Sequence, residues 1–68
     1  MDAEDLFELD GCRVIDETQA GLRVILPSGR RAWLPKSQIH DNSEVYALGT
    51  SGKLVVSSWI AEQEGLDD

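Results

Sequence analysis

The feature that most constrains the fold is a β-hairpin signal near the middle of the 68-residue chain. Leu22, Val24 and Leu26 recur at a period of two, which is typical of a strand with one buried face. The run ends at Pro27-Ser28-Gly29, where proline presets φ for a tight turn and glycine accepts the positive φ that closes it. Residues 30–34 then predict the returning strand. The rest of the fold must be built around this antiparallel pair.

Shorter signals of the same type lie on both sides of the hairpin. A β-branched segment at 12–16 predicts one strand. Segments 44–48 and 53–57 flank the turn signal Gly49-Thr50-Ser51-Gly52 and predict a second hairpin. Between the two hairpins, Pro35 should end its strand, because proline offers no amide hydrogen to a sheet.

The two ends of the chain follow other patterns. A serine before Trp59 can cap a helix over 59–64, and Gly65 suits the left-handed position that stops it. A helix this short must pack on the sheet, and we expect it to do so through Trp59 and Ile60. Residues 1–10 form an acidic N-terminal segment for which a short helix, a strand and a mobile segment all remain open.

Together these elements predict a single domain over residues 1–68 that is mainly β (α+β). The expected architecture is a small, strongly bent antiparallel sheet, or an SH3-like or OB-like barrel, of about five strands with a short C-terminal helix. A chain of this size can build only one core. We expect that core to contain Val24, Trp33, Leu34, Val55 and Trp59.

The net charge of −7 is unevenly distributed along the chain. It is −6 over residues 1–17, +3 over residues 18–61 and −4 over residues 62–68. Charge selects partners and association rates rather than folds. The acidic ends should attract a cationic partner and repel phosphate groups, so no direct binding to nucleic acid is expected.

Cys12 and His40 are the only cysteine and the only histidine, and no motif links them. One cysteine excludes an internal disulfide, and a zinc site takes more ligands than this pair supplies. A small core cysteine and a loop histidine are the simplest interpretation. The chain is therefore predicted to be no enzyme and to hold no metal and no cofactor.

The sequence also lacks the signals of a membrane protein. No apolar run approaches the roughly 18–20 residues that cross a bilayer, and the N-terminus carries acids where a signal peptide carries bases. A cytoplasmic location without membrane contact is the expectation.

A resemblance to a family begins at Trp33. Over residues 22–66 four blocks follow the hairpin in a fixed order: Trp33-Leu34-Pro35-Lys36-Ser37-Gln38-Ile39, Val55-Val56, Trp59-Ile60-Ala61 and Gly65-Leu66. This order is similar to that of small, mostly uncharacterised phage and prophage proteins, which run hairpin, WLPKSQ block, strand and then WLA…KGL. This chain departs from the pattern at Ser57-Ser58, where those proteins usually have Pro-Glu, and in its more acidic N-terminus and longer 43–52 hairpin. The resemblance implies a phage genome neighbourhood, and with it the host cytoplasm, and a fold more than an activity. An inhibitor of the anti-CRISPR or anti-restriction type is the role that we expect of such a protein.

The acids indicate how such an inhibitor would act. Side chains on one face of a strand lie about 6.6 Å apart, so alternating acids can imitate a row of phosphates. We expect a small acidic inhibitor, a monomer or weak homodimer, that blocks a nucleic-acid-binding host defence protein by DNA mimicry or steric occlusion. The acids expected to contact a basic surface of that protein are Asp2, Glu4, Asp5, Glu8, Asp10, Asp16, Glu17, Glu62 and Glu64.

Two other interpretations remain open. The acidic ends can be solubility features that bind nothing. Alternatively, the chain is a small barrel that binds single-stranded nucleic acid, or serves as an accessory module, through Trp33 and the neighbouring bases Arg30, Arg31 and Lys36.

Overall fold

The chain folds into one antiparallel sheet with a short helix at its C-terminal end. The computed structural model describes residues 5–66. In chain order the elements are β1 (Leu6–Glu17), β2 (Gly21–Ile25), β3 (Arg31–Pro35), a 3-10 turn (Lys36–Gln38), β4 (Ser51–Ser57) and α1 (Ser58–Glu64). The strand order is β3-β2-β1-β4. The predicted mainly β, α+β fold is confirmed, with four strands among the described residues instead of about five.

The predicted hairpin is formed by β2 and β3. Leu22 faces Leu34 across the pair, and β3 ends at Pro35 as expected. The Gly29 amide donates to the Leu26 carbonyl at 2.8 Å, and Gly29 has a φ of 92°. A tight turn followed by a left-handed glycine is a common three-residue hairpin connection. Pro27-Ser28-Gly29 therefore forms the tight hairpin turn that the sequence predicted.

β1 is longer than predicted because it serves two partner strands. It spans 12 residues; residues 6–13 pair with β4 and residues 13–17 with β2, so Arg13 has a partner on each side. The register shifts between Leu9 and Cys12, where Gly11 has a φ of 80°, and again between Val14 and Asp16. Each shift inserts an extra residue that bends and twists the strand. The bends let β1 pass from one partner to the other.

Part of the acidic N-terminal segment is a strand. Residues 6–10 belong to β1, so the strand alternative is confirmed for them and the helix alternative is wrong. Phe7 and Leu9 pack against the core, whereas Glu8 and Asp10 are exposed on the other side. Residues 1–4 lie outside the described part of the chain.

The predicted strand at 44–48 does not form. The Thr50 hydroxyl accepts hydrogen bonds from the amides of Tyr46 and Ala47 at 3.0 and 3.2 Å, and it donates to the Ala47 carbonyl at 2.6 Å. Such side-chain bonds compete with a sheet for the same backbone groups. They fold the segment into a turn. The predicted second hairpin is therefore wrong, and of its two arms only 53–57 is a strand, as part of β4.

Residues 39–45 cover the edge of β4 that faces away from β1. Ile39 forms an isolated bridge with Val56, and the His40 amide donates to the Val55 carbonyl at 2.8 Å. Val55 is buried at this edge, outside the main hydrophobic cluster. An edge that would otherwise invite pairing with another chain is thereby protected.

The core lies between one face of the sheet and α1. Val24 and Leu34 belong to it as expected, but the two tryptophans do not: Trp33 is 39% exposed and Trp59 is 58% exposed. Successive side chains of a strand alternate between faces, so the burial of Ala32 and Leu34 turns Trp33 to the opposite face. The buried members of the core are Cys12, Val14, Leu22, Val24, Leu26, Ala32, Leu34, Val45, Leu54, Val56, Ile60, Ala61 and Leu66.

α1 begins and ends where the sequence predicts. The Ser57 side chain caps its start, and Gly65, with a φ of 68°, ends it. Ile60 and Ala61 are the buried residues of the helix. Trp59 lies about 100° from Ile60 and about 200° from Ala61 around the helix axis, so it faces outward. The expectation that Trp59 docks the helix is therefore wrong.

Candidate protein-binding groove and basic face

An open groove of about 800 Å³ lies where the start of β1 meets α1. Asp5 and Glu62, which come from the two acidic ends of the sequence, both line it, and Asp41 adds a third acid. Leu6 and Trp59 supply apolar surface to the same groove, and they are 37% and 58% exposed. We call this feature the acidic groove.

Hydrogen bonds between distant segments hold the groove together. The Ser58 amide donates to the Asp5 carbonyl at 2.9 Å, which ties the start of β1 to the first turn of α1. The Ser57 hydroxyl donates to Gln38 Oε1 at 2.6 Å and accepts from the Ile60 amide at 3.4 Å. β1, the 3-10 turn and α1 are therefore linked at the groove, which makes its shape a property of the fold.

The remaining exposed acids of the predicted set lie along β1. Glu8 and Asp10 are on its first half, and Glu8 Oε1 is 3.7 Å from the Lys53 ammonium. Asp16 is exposed near the other end of the strand, opposite Arg23 on β2. Of these acids only Asp5 lines the groove; Glu8 and Asp10 follow it along β1, and Asp16 lies towards the far end of the strand. Two further predicted acids, at positions 2 and 4, lie outside the described residues.

Glu17 contacts the rest of the fold through its carboxylate, whereas Glu64 does so through its main-chain carbonyl. Glu17 accepts from the Leu48 amide at 2.9 Å through Oε1 and from the Lys36 ammonium at 2.7 Å through Oε2. The bond from the Leu48 amide, and after it the bond from Lys36, hold the pKa of Glu17 below its ordinary value. The Arg30 guanidinium donates to the Glu64 carbonyl at 2.8 Å, at the C-terminal end of α1. Arg30 and Lys36, two cationic residues of the alternative nucleic-acid site, are therefore engaged in hydrogen bonds inside the protein.

The outer face of the β1–β2–β3 part of the sheet carries a second surface. Arg23 faces Trp33 across the β2–β3 pair, and Ile25 faces Arg31. Arg13 on β1 faces Ile25 from the other side. All three arginines are exposed, and within residues 5–66 none of them makes an ion pair. We call these five residues the basic face.

The Trp33 ring rests on Gly21 of the neighbouring strand. A Cβ atom at Gly21 would lie 3.0 Å from Cε2 and from Cζ2 of the indole, and 2.7 Å from the Leu34 carbonyl oxygen. Only a residue without a side chain leaves this space to the ring. Trp33 is therefore held against the sheet while part of its surface stays open to solvent.

Reasoning from the sequence missed several residues of both surfaces. Arg23 could have been found, because a three-residue turn at 27–29 places it opposite Trp33. Asp41 in the groove and Arg13 on the basic face had no local signal. Their positions depend on contacts between segments that are far apart in the sequence.

The cysteine lies in the core, and the histidine lines the acidic groove next to Asp41. Cys12 is in the core, where its thiol donates to the Leu9 carbonyl at 3.5 Å, and burial followed by the nearby Asp10 carboxylate raises its pKa to about 11. His40 is half-buried in a loop, and its Nδ1 accepts from the Asn42 amide at 3.1 Å. Within residues 5–66, no group of three or more His, Cys, Asp or Glu side chains is placed to hold a metal ion. Across the same stretch, no helix has the length and apolar character needed to span a membrane.

Comparisons of the chain with protein-family models, with curated proteins and with solved structures found no significant match.

Proposed function

We propose that this protein is a binding module whose acidic groove holds a basic surface of another protein. The observation that carries the proposal is the meeting of the two acidic ends of the sequence at one groove. Asp5 and Glu62 lie near opposite ends of the chain, yet both line it beside Asp41. Trp59 is 58% exposed at the same place.

Trp59 supports a protein partner in particular. The helix docks on the sheet through Ile60 and Ala61, so the fold has no need of an indole on the outer side of α1. Exposed tryptophans in clefts are frequent energetic centres of protein interfaces. A partner that carries an apolar side chain beside lysines or arginines would contact Trp59 and Leu6 while its cations meet the acids.

The charges favour fast and selective association with such a partner. A negative groove on a protein with a net charge of −7 attracts a basic surface and repels acidic ones. Exposed charges act mainly on the association rate, and they are screened beyond about 8 Å at physiological ionic strength. The association rate should therefore fall steeply as salt is added.

We further propose that the partner is a host protein that binds nucleic acid, and that the module inhibits it by DNA mimicry or steric occlusion. The resemblance to small phage proteins supports this assignment, as does the continuation of the acids along β1. Glu8 and Asp10 lie on the same side of the strand, about 6.6 Å apart. The 3.7 Å ion pair of Glu8 with Lys53 is exposed, so it opposes a competing cation only weakly.

The test compares matched variants against a partner captured from host lysate with the tagged chain. Asp41→Asn and Asp16→Asn remove the same charge, one inside the groove and one outside it. Asp41→Asn should lower the affinity and Asp16→Asn should not. Trp59→Ala should weaken binding by about 2 kcal/mol or more, as expected of a hot-spot tryptophan. Equal effects of the two Asp variants, together with full binding by Trp59→Ala, would reject the groove as the binding site.

Competition with DNA separates the two modes of inhibition. A DNA mimic should displace DNA from the partner in direct competition, because both ligands use the same basic site. A steric inhibitor should leave DNA bound while it blocks a later step. An inert complex, with DNA binding and activity both unchanged, would refute inhibition and leave only binding.

A further inference from the structure

We infer that the basic face binds single-stranded nucleic acid, with a base stacked on Trp33 and phosphates held by the arginines around it. This surface is separate from the acidic groove, and the inference does not rest on the proposed function. It keeps Trp33 from the alternative interpretation of the sequence but uses different cationic side chains. Arg30 and Lys36 are not used, because they already form hydrogen bonds with Glu64 and Glu17.

Trp33 offers an aromatic surface that is already in place. Its ring lies across Gly21 and remains 39% exposed. Stacking on an exposed aromatic ring suits any base, which is how small β domains hold single strands without reading their sequence. A ring held against the sheet also loses less freedom on binding than a free side chain would.

The arginines are spaced around that ring. Arg23 is directly opposite Trp33, and Arg31 is two residues before it on the same strand, about 6.6 Å away. Arg13 lies beyond Ile25 on β1, two strands from Arg31, which is about 10 Å. Guanidinium groups match phosphate oxygens through paired hydrogen bonds. Three arginines without ion pairs can therefore bind a bent or extended phosphate chain.

The negative total charge does not prevent this binding, because the fold separates the charges. Asp5 and Glu8 lie towards the start of β1, whereas Arg13 lies further along, where β1 pairs with both β4 and β2. Eight positions separate Asp5 from Arg13, at most about 26 Å along a strand, against a screening length of about 8 Å at physiological salt. Asp10 and Asp16 are the exceptions. Asp10 is three residues from Arg13 on β1, at most about 10 Å away, and Asp16 faces Arg23 directly. Both carboxylates should weaken binding without abolishing it.

An open pocket of about 570 Å³ extends the basic face towards the β2–β3 turn. Arg13, Ile25 and Pro27 are among its lining residues. A strand with one base on Trp33 can place a neighbouring nucleotide against this apolar wall while its phosphate meets Arg13. The pocket therefore favours a chain of nucleotides over an isolated anion.

The experiment measures fluorescence anisotropy of a labelled, mixed-sequence DNA single strand of about 12 nucleotides. A duplex of the same sequence and an oligoglutamate of similar length serve as competitors. We expect the single strand to bind at about 50 mM salt, and the slope of log K against log salt to be about −2 for three phosphate contacts. The single strand should compete better than either the duplex or oligoglutamate.

Four variants assign the contacts. Trp33→Ala should weaken binding by about 5- to 150-fold, the range for loss of one stacked base. Arg31→Gln should weaken it, and Lys53→Gln, which removes the same charge from β4, should have no effect. Asp16→Asn should strengthen it. Circular dichroism checks the fold of each variant, and Trp33→Leu, which keeps apolar bulk without an aromatic ring, replaces Trp33→Ala if the latter is unfolded.

Three results would overturn the inference. The first is the absence of single-strand binding at low salt. The second is an equal loss for Arg31→Gln and Lys53→Gln, which would indicate attraction by net charge alone. The third is tighter binding of oligoglutamate than of DNA with no effect at Trp33, which would assign the face to an acidic protein segment. None of these results concerns Trp59 or Asp41, so the acidic groove would stand or fall separately.

Discussion

Replacing Gly21 with alanine tests how β2 and β3 hold Trp33. Gly21 is not in the left-handed region of φ, so an alanine meets no backbone strain there. Such a substitution at an unobstructed site stabilises a protein by about 0.4–1 kcal/mol, because it restricts the unfolded chain. The structure predicts the opposite sign.

The contacts of the new Cβ atom set the magnitude. It would lie 2.7 Å from the Leu34 carbonyl oxygen, which is 0.7 Å inside the 3.4 Å at which ordinary contact begins, and 3.0 Å from two atoms of the Trp33 ring. The carbonyl belongs to the backbone of β3, so relief requires the two strands to move apart. Overpacking of this type costs about 1–3 kcal/mol. For a domain of this size that loss lowers Tm by roughly 4–24 °C.

Thermal unfolding followed by circular dichroism measures this effect. Tryptophan fluorescence in a Trp59→Phe background reports on Trp33 alone, and its emission should shift to the red in Gly21→Ala as the ring lifts from the sheet. In a Trp33→Ala background, Gly21→Ala should still destabilise the protein, because the Leu34 carbonyl remains in place. A Tm equal to or above that of the wild type would refute the close approach of the two strands.

Other predictions follow from individual contacts. Ile60→Ala should cost about 2–5 kcal/mol in urea unfolding, and Trp59→Ala clearly less, because only Ile60 is buried in the core; equal losses would contradict the observed docking of α1. The lowered pKa of Glu17 in the folded state means that its contribution to stability is present above its ordinary pKa of 4.5 and is lost as the pH falls through the folded value. Wild type and Glu17→Gln should therefore differ in stability at neutral pH and converge in acid, whereas a constant difference would exclude the Leu48 and Lys36 contacts as its source. Cys12, with a thiol pKa of about 11 and 1% exposure, should react with iodoacetamide at pH 8 only after unfolding in urea; rapid labelling of the native protein would be inconsistent with its burial.

Local chemistry accounts for the parts of the fold that were predictable. Pro27-Ser28-Gly29 can hardly form anything but a turn, and the strands on either side pair next to it. Ser57 and Gly65 act at the helix ends through their own hydrogen bonds and φ angles. Pro35 ends β3 because it lacks an amide hydrogen. Each of these features depends on residues that are near one another in sequence.

Two predictions failed for identifiable reasons: a side-chain hydrogen bond prevented a predicted strand, and the large size of a tryptophan suggested burial. The amides of residues 46 and 47 donate to the Thr50 hydroxyl instead of to a neighbouring strand. Strand propensities of the individual residues do not predict such a hydrogen bond. Trp33 was assigned to the core because it is large, although its alternation with the buried Leu34 places it outside. The acidic groove could not be predicted, because it depends on the hydrogen bond between the Ser58 amide and the Asp5 carbonyl, which joins α1 to a segment 53 residues earlier in the sequence.

The central claim is that the acidic groove recruits a basic partner through its charge. The most direct test is the association rate constant with the captured partner, measured against ionic strength for the wild type and for the triple variant Asp5→Asn, Asp41→Asn, Glu62→Gln. The account predicts a wild-type rate that falls steeply with salt, and a slower rate with a clearly weaker salt dependence for a variant whose fold is unchanged by circular dichroism. Equal rates and equal salt dependence for the two proteins would contradict it.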